Sequence, residues 1–224
     1  VSAHRRPDPS STVRLDGAVT ARDDPSSWTV VMPVKSLDLA KSRLSPAATA
    51  RDLAFAFFQD AVDAVVGSPL TERVVVATCD PIITSWAIHR GCLVVSDEGY
   101  PGINAAAQMA AGHCAPPGSV AVMVSDLPAV TSAAVSAALA LAAAHPVAFL
   151  TDAEGTGTTM WMAEAGQQIS TAFGAASRAA HRSAGAVDLI AVYGEVPDLW
   201  PARRDVDTVG DLARAQDLGV GLHT

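Results

Sequence analysis

Aromatic and charged residues are scarce in this sequence. Of its 224 residues, only 5% are aromatic and 17% are charged, whereas 50% are apolar. This composition excludes an intrinsically disordered chain, and the length is enough for one globular domain with a sizeable core. Because alanines are numerous and large side chains are few, we expect helices that pack closely together.

Positive charge is also in short supply. Lys and Arg together number 15 against 23 Asp and Glu, which gives a formal net charge of −8 at pH 7. A general nucleic-acid-binding protein is usually basic, so we expect no nucleic-acid partner. An acidic chain can still contain a local basic pocket for nucleotide phosphates.

Cysteines and long apolar runs are few as well. Cys79, Cys92 and Cys114 form an odd set without a CxxC pair, and we interpret them as small buried hydrophobic residues in a reducing compartment. No apolar run reaches the ~18–20 residues of a membrane span. Residues 1–27 lack the apolar core of a signal peptide. We therefore expect a cytoplasmic protein with no membrane partner.

The domain is predicted to occupy residues 28–221. Residues 1–27 carry Pro, Ser, Asp and Arg without periodicity, which indicates a flexible extension. From residue 28 onward, strand and helix patterns alternate, which predicts a single α/β domain with a mainly parallel sheet in three αβα layers. The predicted strands start at residue 28 and then cover 73–77, 92–95, 120–124, 146–150, 159–162 and 187–192. The predicted helices cover 46–66, 81–90, 104–114, 131–144 and a last segment that ends near 218.

Ligands of such sheets bind beyond the carboxyl ends of the strands. Lys35, Asp97 and Asp126 each fall just after a predicted strand. We therefore expect these three residues, which are far apart in the sequence, to converge in space.

The loop after the first strand carries three cations, Lys35, Lys41 and Arg43. Ser45 and Pro46 then resemble the N-cap and first residue of a helix. Because helix N-termini and cationic side chains both favour anions, this loop is a candidate polyphosphate cradle, although it is not a Walker A loop. The alternative is a solvated loop with ordinary surface charges.

Two carboxylates two residues apart, Asp205 and Asp207, form a candidate metal site. If the segment is extended, both lie on one face and repel each other unless a cation lies between them. With Asp126 they could hold one or two Mg²⁺ ions, which prefer oxygen ligands. The alternative is that Asp207 belongs to a helix cap, because Thr208-x-x-Asp211 is a good N-cap pattern. That alternative leaves Asp205 unexplained.

Residues 155–158, Gly-Thr-Gly-Thr, are not a dinucleotide fingerprint. They lack the third glycine, and a strand pattern follows them in place of a helix. A turn without function is one interpretation. Arg203 and Arg204 are interpreted as an ordinary charged rim, and Trp161 and Trp200 as packing residues.

The motif Pro-Val-Lys-x-Leu-x-x-Ala-Lys-x-Arg-Leu at residues 33–44 resembles the opening motif of a known enzyme family. The family contains the 2-phospho-L-lactate and phosphoenolpyruvate guanylyltransferases (CofC/FbiD) of coenzyme F-420 biosynthesis, and the resemblance covers about residues 28–221. It implies a nucleotide-diphospho-sugar-transferase-like (GT-A/Rossmann-like) fold. It also implies transfer of GMP from GTP to a phosphorylated three-carbon acid, with release of pyrophosphate.

The resemblance assigns roles to individual residues. The family's Asp-Leu-Pro and Asp-x-Asp-Thr motifs imply Mg²⁺ ligation by Asp126, Asp205 and Asp207. The nucleotide would contact Lys35, Lys41, Arg43, Asp97, Gly102 and Asn104. The alternatives are that Gly102 is an ordinary loop glycine and that Asn104 is an N-cap.

The acid would contact Thr158, Gly174 and Ser177, by analogy with the family's Gly-Thr-Gly-Thr and Phe-Gly-x-x-Ser segments. His181 matches a family histidine, with a purely structural role as the alternative. Arg178 departs from the family as an extra cation, which bears on the choice of acid. The alanine-rich composition favours phosphoenolpyruvate over 2-phospho-L-lactate.

Two other functions stay open at this point. One is a related nucleotidyltransferase such as a molybdenum-cofactor guanylyltransferase, although those usually open with a Gly-rich loop that this chain lacks. The other is a non-catalytic nucleotide-binding protein of the same fold, although a pure binder has little need for two adjacent carboxylates. Whether the chain forms a homo-oligomer is also open.

Overall fold

The computed structural model describes residues 27–39, 47–114 and 118–224. The predicted extension over 1–27 therefore lies almost entirely outside the described residues. Lys41, Arg43, Ser45 and Pro46 lie outside them as well.

The centre of the fold is a sheet with seven strands in the described part of the chain. Its strands are β1 (Trp28–Pro33), β2 (Thr71–Ala77), β3 (Leu93–Val95), β4 (Ser119–Met123), β5 (Val147–Thr151), β6 (Thr158–Ala163) and β7 (Val187–Asp188). They lie in the order β3-β2-β1-β4-β6-β5-β7. Strand β6 runs antiparallel to both its neighbours, and the other pairs are parallel. The predicted mainly parallel α/β sheet is confirmed.

Helices connect most of the strands. They are α1 (Ala47–Val66), α2 (Pro81–His89), α3 (Ile103–Cys114), α4 (Ser132–Ala142), α5 (Ser177–Ser183), α6 (Leu189–Tyr193) and α7 (Val209–Leu218), with 3₁₀ turns at Leu37–Leu39 and Pro197–Ala202. Asp80, Thr131 and Thr208 cap α2, α4 and α7 with their side-chain oxygens. None of the helices in the described ranges is long and apolar enough to cross a membrane.

Helices cover both faces of the sheet. Alternate residues of β1 point to opposite faces, so that Val30 and Met32 belong to one buried apolar cluster and Val31 to another. Helices α1, α2 and α4 contribute to the first cluster, and α3 contributes to the second. This arrangement is the predicted three-layer domain.

The prediction of a strand over 187–192 is wrong beyond its first two residues. The carboxylate of Asp188 accepts hydrogen bonds from the backbone N–H groups of Ile190 and Ala191, and α6 begins at Leu189. An apolar run of five residues cannot by itself distinguish a strand from a short buried helix, and here the aspartate cap decides for the helix.

The cysteine prediction is correct for one residue and wrong for another. Cys92 is buried, whereas Cys79 is exposed, with its Sγ 3.2 Å from the Ser96 hydroxyl. Cys79 lies in the loop between β2 and α2. It therefore stays exposed, even though cysteine is a small apolar residue that is often buried.

Candidate functional site

A cavity of about 840 Å³ opens at the carboxyl ends of β1 and β4. The strand order changes direction between these two strands, which is the place where open α/β sheets bind ligands. Nearly all the predicted site residues that the structure describes line this one cavity. They are Lys35, Asp97, Gly102, Asp126, Thr158, Gly174, Ser177, Asp205 and Asp207.

Three of the lining aspartates come from two neighbouring segments. Asp126 follows β4, and its backbone carbonyl accepts a hydrogen bond from the Val206 N–H at 3.1 Å. This bond holds the 205–207 segment against the end of β4. Val206 is fully buried in an apolar cluster, while Asp205 and Asp207 on either side of it line the cavity. The predicted alternation is present, although the segment is not assigned as a strand.

The capping pattern belongs to Thr208, not to Asp207. Thr208 Oγ1 accepts the N–H of Asp211 at 3.3 Å, and Asp211 Oδ2 accepts the N–H of Thr208 at 2.9 Å. The structure thus contains both the capping box and the pair of aspartates in the cavity. The two alternatives weighed from the sequence are compatible with each other.

The aspartates at the cavity repel one another. Burial and the negative charges of Asp126, Asp152 and Asp207 together raise the pKa of Asp205 from 3.8 to about 7. A bound cation would relieve this repulsion, so the donor chemistry fits Mg²⁺. In the described ranges, however, no three acidic, histidine or cysteine side chains already converge tightly enough to hold a metal ion. Mg²⁺ usually takes only one or two carboxylates and completes its shell with waters and substrate phosphates, so the set still fits.

Asp152 is a cavity residue that the sequence did not single out. Its two carboxylate oxygens accept the N–H groups of Thr156 and Gly157 at 2.9 and 2.8 Å. A Cβ at Gly157 would overlap Asp152 Oδ2, so this turn requires glycine there. An aspartate a few residues before a Gly-rich segment is a recognisable signal for such a side-chain-stabilised turn.

Arg203 is not part of a charged rim. It is 3% exposed and donates to the carbonyl oxygens of Thr151 and Asp152 at 3.0 and 3.1 Å, and it forms an ion pair with Glu195 at 2.6 Å. Its own carbonyl accepts the N–H of Ala153 at 2.8 Å. Arg203 therefore ties the segment that leads to Asp205 to the segment that carries Asp152. Arg204 forms an ion pair with the more exposed Glu154.

The guanidinium of Arg178 is directed away from the acid-binding candidates. Its Nε donates to Asp188 at 2.8 Å and its Nη1 to the Gly155 carbonyl at 2.9 Å, and it is not among the cavity-lining residues. Arg178, the extra cation noted in the sequence, therefore connects the 155–158 turn to α5 through a hydrogen bond.

Asn104 supports the wall of the cavity without lining the cavity itself. It lies inside α3, so it is not an N-cap, and it is not among the lining residues. Its side-chain amide donates to the Phe173 carbonyl at 2.9 Å and accepts the Phe173 N–H at 2.7 Å. Both ends of the amide thus bind the backbone beside Gly174, and the nucleotide contact of Asn104 stays a prediction.

Lys35 lies exposed at the cavity on a loop that Asp80 holds. Asp80 Oδ2 accepts the N–H of Leu37 at 2.9 Å and faces the Ser36 hydroxyl at 3.3 Å. Burial opposes ionisation of Asp80, but these bonds and those to the α2 backbone outweigh burial and lower its pKa. The other two predicted cations of the loop, Lys41 and Arg43, are outside the described residues.

His181 is completely buried behind the acid-binding candidates. Its Nδ1 lies 3.0 Å from the Thr158 hydroxyl, and its Nε2 accepts the Ala172 N–H at 2.8 Å. The ring packs against Phe149 and Phe173. Burial lowers the pKa of His181 to about 4.

Comparisons with known proteins agree with this geometry. A profile of the family described as "Guanylyl transferase CofC like" matches residues 28–214. A phosphoenolpyruvate guanylyltransferase of Streptomyces coelicolor is 43% identical over 205 residues, which cover 88% of this chain and 93% of that one. A phosphoenolpyruvate guanylyltransferase of Geodermatophilus obscurus is 41% identical over 207 residues, covering 88% and 92%.

Solved structures resemble the fold at low sequence identity. A nucleotidyl transferase from Methanothermobacter thermautotrophicus superposes with a TM-score of 0.57 at 14% identity, over 85% of this chain and 96% of that one. A putative nucleotide-diphospho-sugar transferase from Desulfovibrio desulfuricans gives a TM-score of 0.55 at 15% identity, over 86% and 96%. The predicted nucleotide-diphospho-sugar-transferase-like fold is confirmed.

Proposed function

The chain belongs to the CofC-like guanylyl transferase family, and from that premise we propose that it transfers GMP from GTP to phosphoenolpyruvate and releases pyrophosphate. The observation that carries the proposal is the convergence of distant motifs. The loop after β1, the Asp-Leu-Pro segment after β4, the Asp-x-Asp pair and the Gly-Thr-Gly-Thr turn all line one cavity. By the same resemblance, we propose a role in coenzyme F-420 biosynthesis.

The reaction requires positioning more than proton transfer. A phosphate oxygen of phosphoenolpyruvate would form a bond to the α-phosphorus of GTP as the bond from that phosphorus to the pyrophosphate oxygen breaks. The attacking phosphate is already ionised at neutral pH, so no general base is required. Catalysis would then rest on alignment of the two substrates and on neutralisation of charge.

Asp126, Asp205 and Asp207 are proposed to hold Mg²⁺. When bound, the metal would supply positive charge next to the reacting phosphates. Lys35, which lines the cavity after β1, is proposed to bind phosphate oxygens of GTP. By the family resemblance, Lys41 and Arg43 share that role.

The acid is proposed to bind near Thr158, Gly174 and Ser177, on the part of the cavity formed by β6 and the start of α5. Hydroxyl and backbone N–H groups suit a carboxylate or a phosphate. Asp97 and Gly102, on the loop after β3, are proposed to contact the nucleoside. Asn104 would act indirectly, by holding Phe173 beside Gly174.

One alternative acceptor shares all these contacts. 2-Phospho-L-lactate carries the same carboxylate and phosphate, and differs from phosphoenolpyruvate by a methyl at a chiral carbon in place of a planar methylene. Only a few apolar contacts separate the two, worth about 1–3 kcal/mol. The clustered carboxylates argue against a non-catalytic nucleotide-binding protein, since their repulsion is costly unless a metal is used.

The test is to follow the release of pyrophosphate from GTP in the presence of Mg²⁺ and each acid in turn. If the product is unstable, the next enzyme of the pathway serves as a trap. Release that depends on phosphoenolpyruvate supports the proposal. Release with 2-phospho-L-lactate alone would change the acceptor, and GTP binding without release would favour another acceptor or a non-catalytic relative.

Two substitutions test the residue roles. Asp205→Asn should lower turnover by several orders of magnitude in a folded protein, and near-normal activity would refute the metal role. Lys35→Ala should mainly raise KM for GTP, whereas unchanged GTP kinetics would remove Lys35 from the phosphate contacts. The exposed Asp52 offers a matched Asp→Asn control.

A further inference from the structure

The hydrogen bonds of His181 determine which of its ring nitrogens carries the proton. A backbone N–H can only donate, so the bond from Ala172 N–H requires Nε2 of His181 to be an acceptor. A neutral imidazole carries one proton, and that proton must then be on Nδ1. Burial lowers the pKa of His181 to about 4, which keeps the ring neutral at physiological pH.

This tautomer in turn determines the role of the Thr158 hydroxyl. Nδ1–H of His181 donates to Thr158 Oγ1 across 3.0 Å, so that oxygen acts as an acceptor in this bond. The hydroxyl proton of Thr158 is then left to donate elsewhere. Within the described residues the Thr158 side chain makes no other hydrogen bond, and it lines the cavity, so a water or a ligand in the cavity can accept this proton.

We propose that His181 is a positioning residue that commits the Thr158 hydroxyl to donate a hydrogen bond to an anionic oxygen of the acid substrate. The inference rests on the proposed function for the identity of that acid. It extends the function by explaining how a neutral hydroxyl is oriented towards a carboxylate or phosphate oxygen. His181 is not among the residues that line the cavity, so it acts through Thr158.

The surroundings of His181 also fix its position. The ring packs between Phe149 and Phe173, with centroid distances of 5.5 and 5.6 Å. Its bond to Ala172 N–H holds the backbone next to Phe173, which leads to the acid-binding candidate Gly174. One buried imidazole therefore connects the hydroxyl on β6 to the loop on the other side of the acid subsite.

The first experiment requires no substrate. A long-range ¹H–¹⁵N correlation spectrum of the ligand-free protein at pH 7 reports the tautomer of each histidine. We expect His181 to be neutral with the proton on Nδ1 and with Nε2 unprotonated. A proton on Nε2, or a doubly protonated ring, would overturn the inference whether or not the proposed reaction occurs.

The second experiment is a double-mutant cycle with His181→Phe and Thr158→Val. Phenylalanine retains the ring that packs between two aromatic side chains, and valine replaces the hydroxyl by a methyl of similar size. Thr158→Val removes a hydrogen bond to a charged group, so we expect it to raise KM for phosphoenolpyruvate about 10- to 100-fold. His181→Phe keeps the hydroxyl but removes the neutral bond that orients it, so we expect a smaller rise of about 2- to 10-fold. KM for GTP should not change.

The double variant separates a positioning role from a merely structural one. If His181 acts through the hydroxyl, His181→Phe should have little further effect on KM in the Thr158→Val background. In the Thr158→Ser background, which keeps the hydroxyl, it should have its full effect. The same loss in the Val background, or a parallel rise in KM for GTP, would overturn the inference.

Controls separate the remaining outcomes. His113→Phe makes the same exchange at an exposed histidine near the end of α3 and should leave both KM values unchanged. If the wild-type protein does not use phosphoenolpyruvate at all, the proposed function fails, and the spectrum still decides the tautomer. If His181→Phe does not fold, the Thr158→Ser and Thr158→Val pair still tests whether the hydroxyl binds the acid.

Discussion

Replacing Asp205 by asparagine should stabilise the metal-free protein while it abolishes activity. The cause is the unfavourable environment of the carboxylate, whose pKa rises from 3.8 to about 7 through burial and the charges of Asp126, Asp152 and Asp207. This change corresponds to about 4 kcal/mol that ionised Asp205 costs the folded state. Asparagine has nearly the same shape and carries no charge, so it removes this cost.

The stability gained by Asp205→Asn should increase with pH. A carboxyl group whose pKa is higher in the folded state than in the unfolded state destabilises the fold once the unfolded chain ionises, that is, above about pH 4. The penalty grows as pH rises and is complete above the folded pKa of about 7. The stability gained by Asp205→Asn should therefore be about 4 kcal/mol at pH 8 and less than half of that at pH 5.

Thermal unfolding in the presence of EDTA measures this difference. For a chain of this size, 4 kcal/mol corresponds to a rise in Tm of about 8–16 °C. Asp52→Asn, at an exposed position of α1, is the control and should change Tm little. A variant that is no more stable than the wild type at pH 8, or whose gain is the same at pH 5 and pH 8, would refute the reasoning.

Addition of Mg²⁺ should reduce the difference in Tm between Asp205→Asn and the wild type. A cation that binds the folded state and not the unfolded chain stabilises the fold, and the gain rises with the logarithm of its concentration divided by Kd. If Asp205 is a ligand, Mg²⁺ with GTP should raise the Tm of the wild type more than that of Asp205→Asn. Equal increases would separate Asp205 from the metal while leaving the electrostatic argument intact.

Four further predictions concern the groups around the aspartates. Arg203→Met should lower the free energy of unfolding, measured in urea, by about 3–5 kcal/mol, because it leaves buried carbonyls without donors. Arg204→Met should lower it by less than about 1 kcal/mol. Gly157→Ala should raise KM for the acid, because the new methyl displaces the Asp152 carboxylate from the turn; unchanged kinetics would contradict this. Thr208→Ala should cost about 1 kcal/mol through loss of the capping box, measured in the same urea assay. Phosphoenolpyruvate alone should show no binding heat in calorimetry, and should bind once Mg²⁺ and a GTP analogue that cannot release pyrophosphate are present.

The sequence was sufficient for strands β1 to β6 and for four of the five aspartates that line the cavity in the described part of the chain. Strands β1 to β6 have strong apolar patterns, and Asp126 and Asp205 follow from rules that apply locally: a polar residue after a strand, and two carboxylates at a spacing of two. These features depend on nearest neighbours in the chain. The helix α6 was missed because its type is decided by a single cap, Asp188, whose carboxylate is also bound by Arg178 from another element.

The residues that hold the site together could not be identified from the sequence. Arg203 is separated from Thr151 and Asp152 by about fifty residues, and Asn104 from Phe173 by 69. Each of these side chains satisfies backbone groups on a distant segment, and neither has a local pattern that distinguishes it from a surface residue. Only the folded chain shows that the guanidinium of Arg203 is buried and that both ends of the Asn104 amide form hydrogen bonds.

The charge of the cavity argues for an order of substrate binding. Among the lining residues that the structure describes, five are aspartates, at positions 97, 126, 152, 205 and 207, and Lys35 is the one cation. Both proposed substrates are anions, so this surface repels them until positive charge is added. Mg²⁺ brings two positive charges to the aspartates, whereas GTP carries negative charges of its own. Phosphoenolpyruvate, whose candidate contacts are hydroxyl and backbone groups, gains little by binding first. We therefore expect Mg²⁺ to bind before the acid, because the cation lowers the negative charge that otherwise repels both anionic substrates.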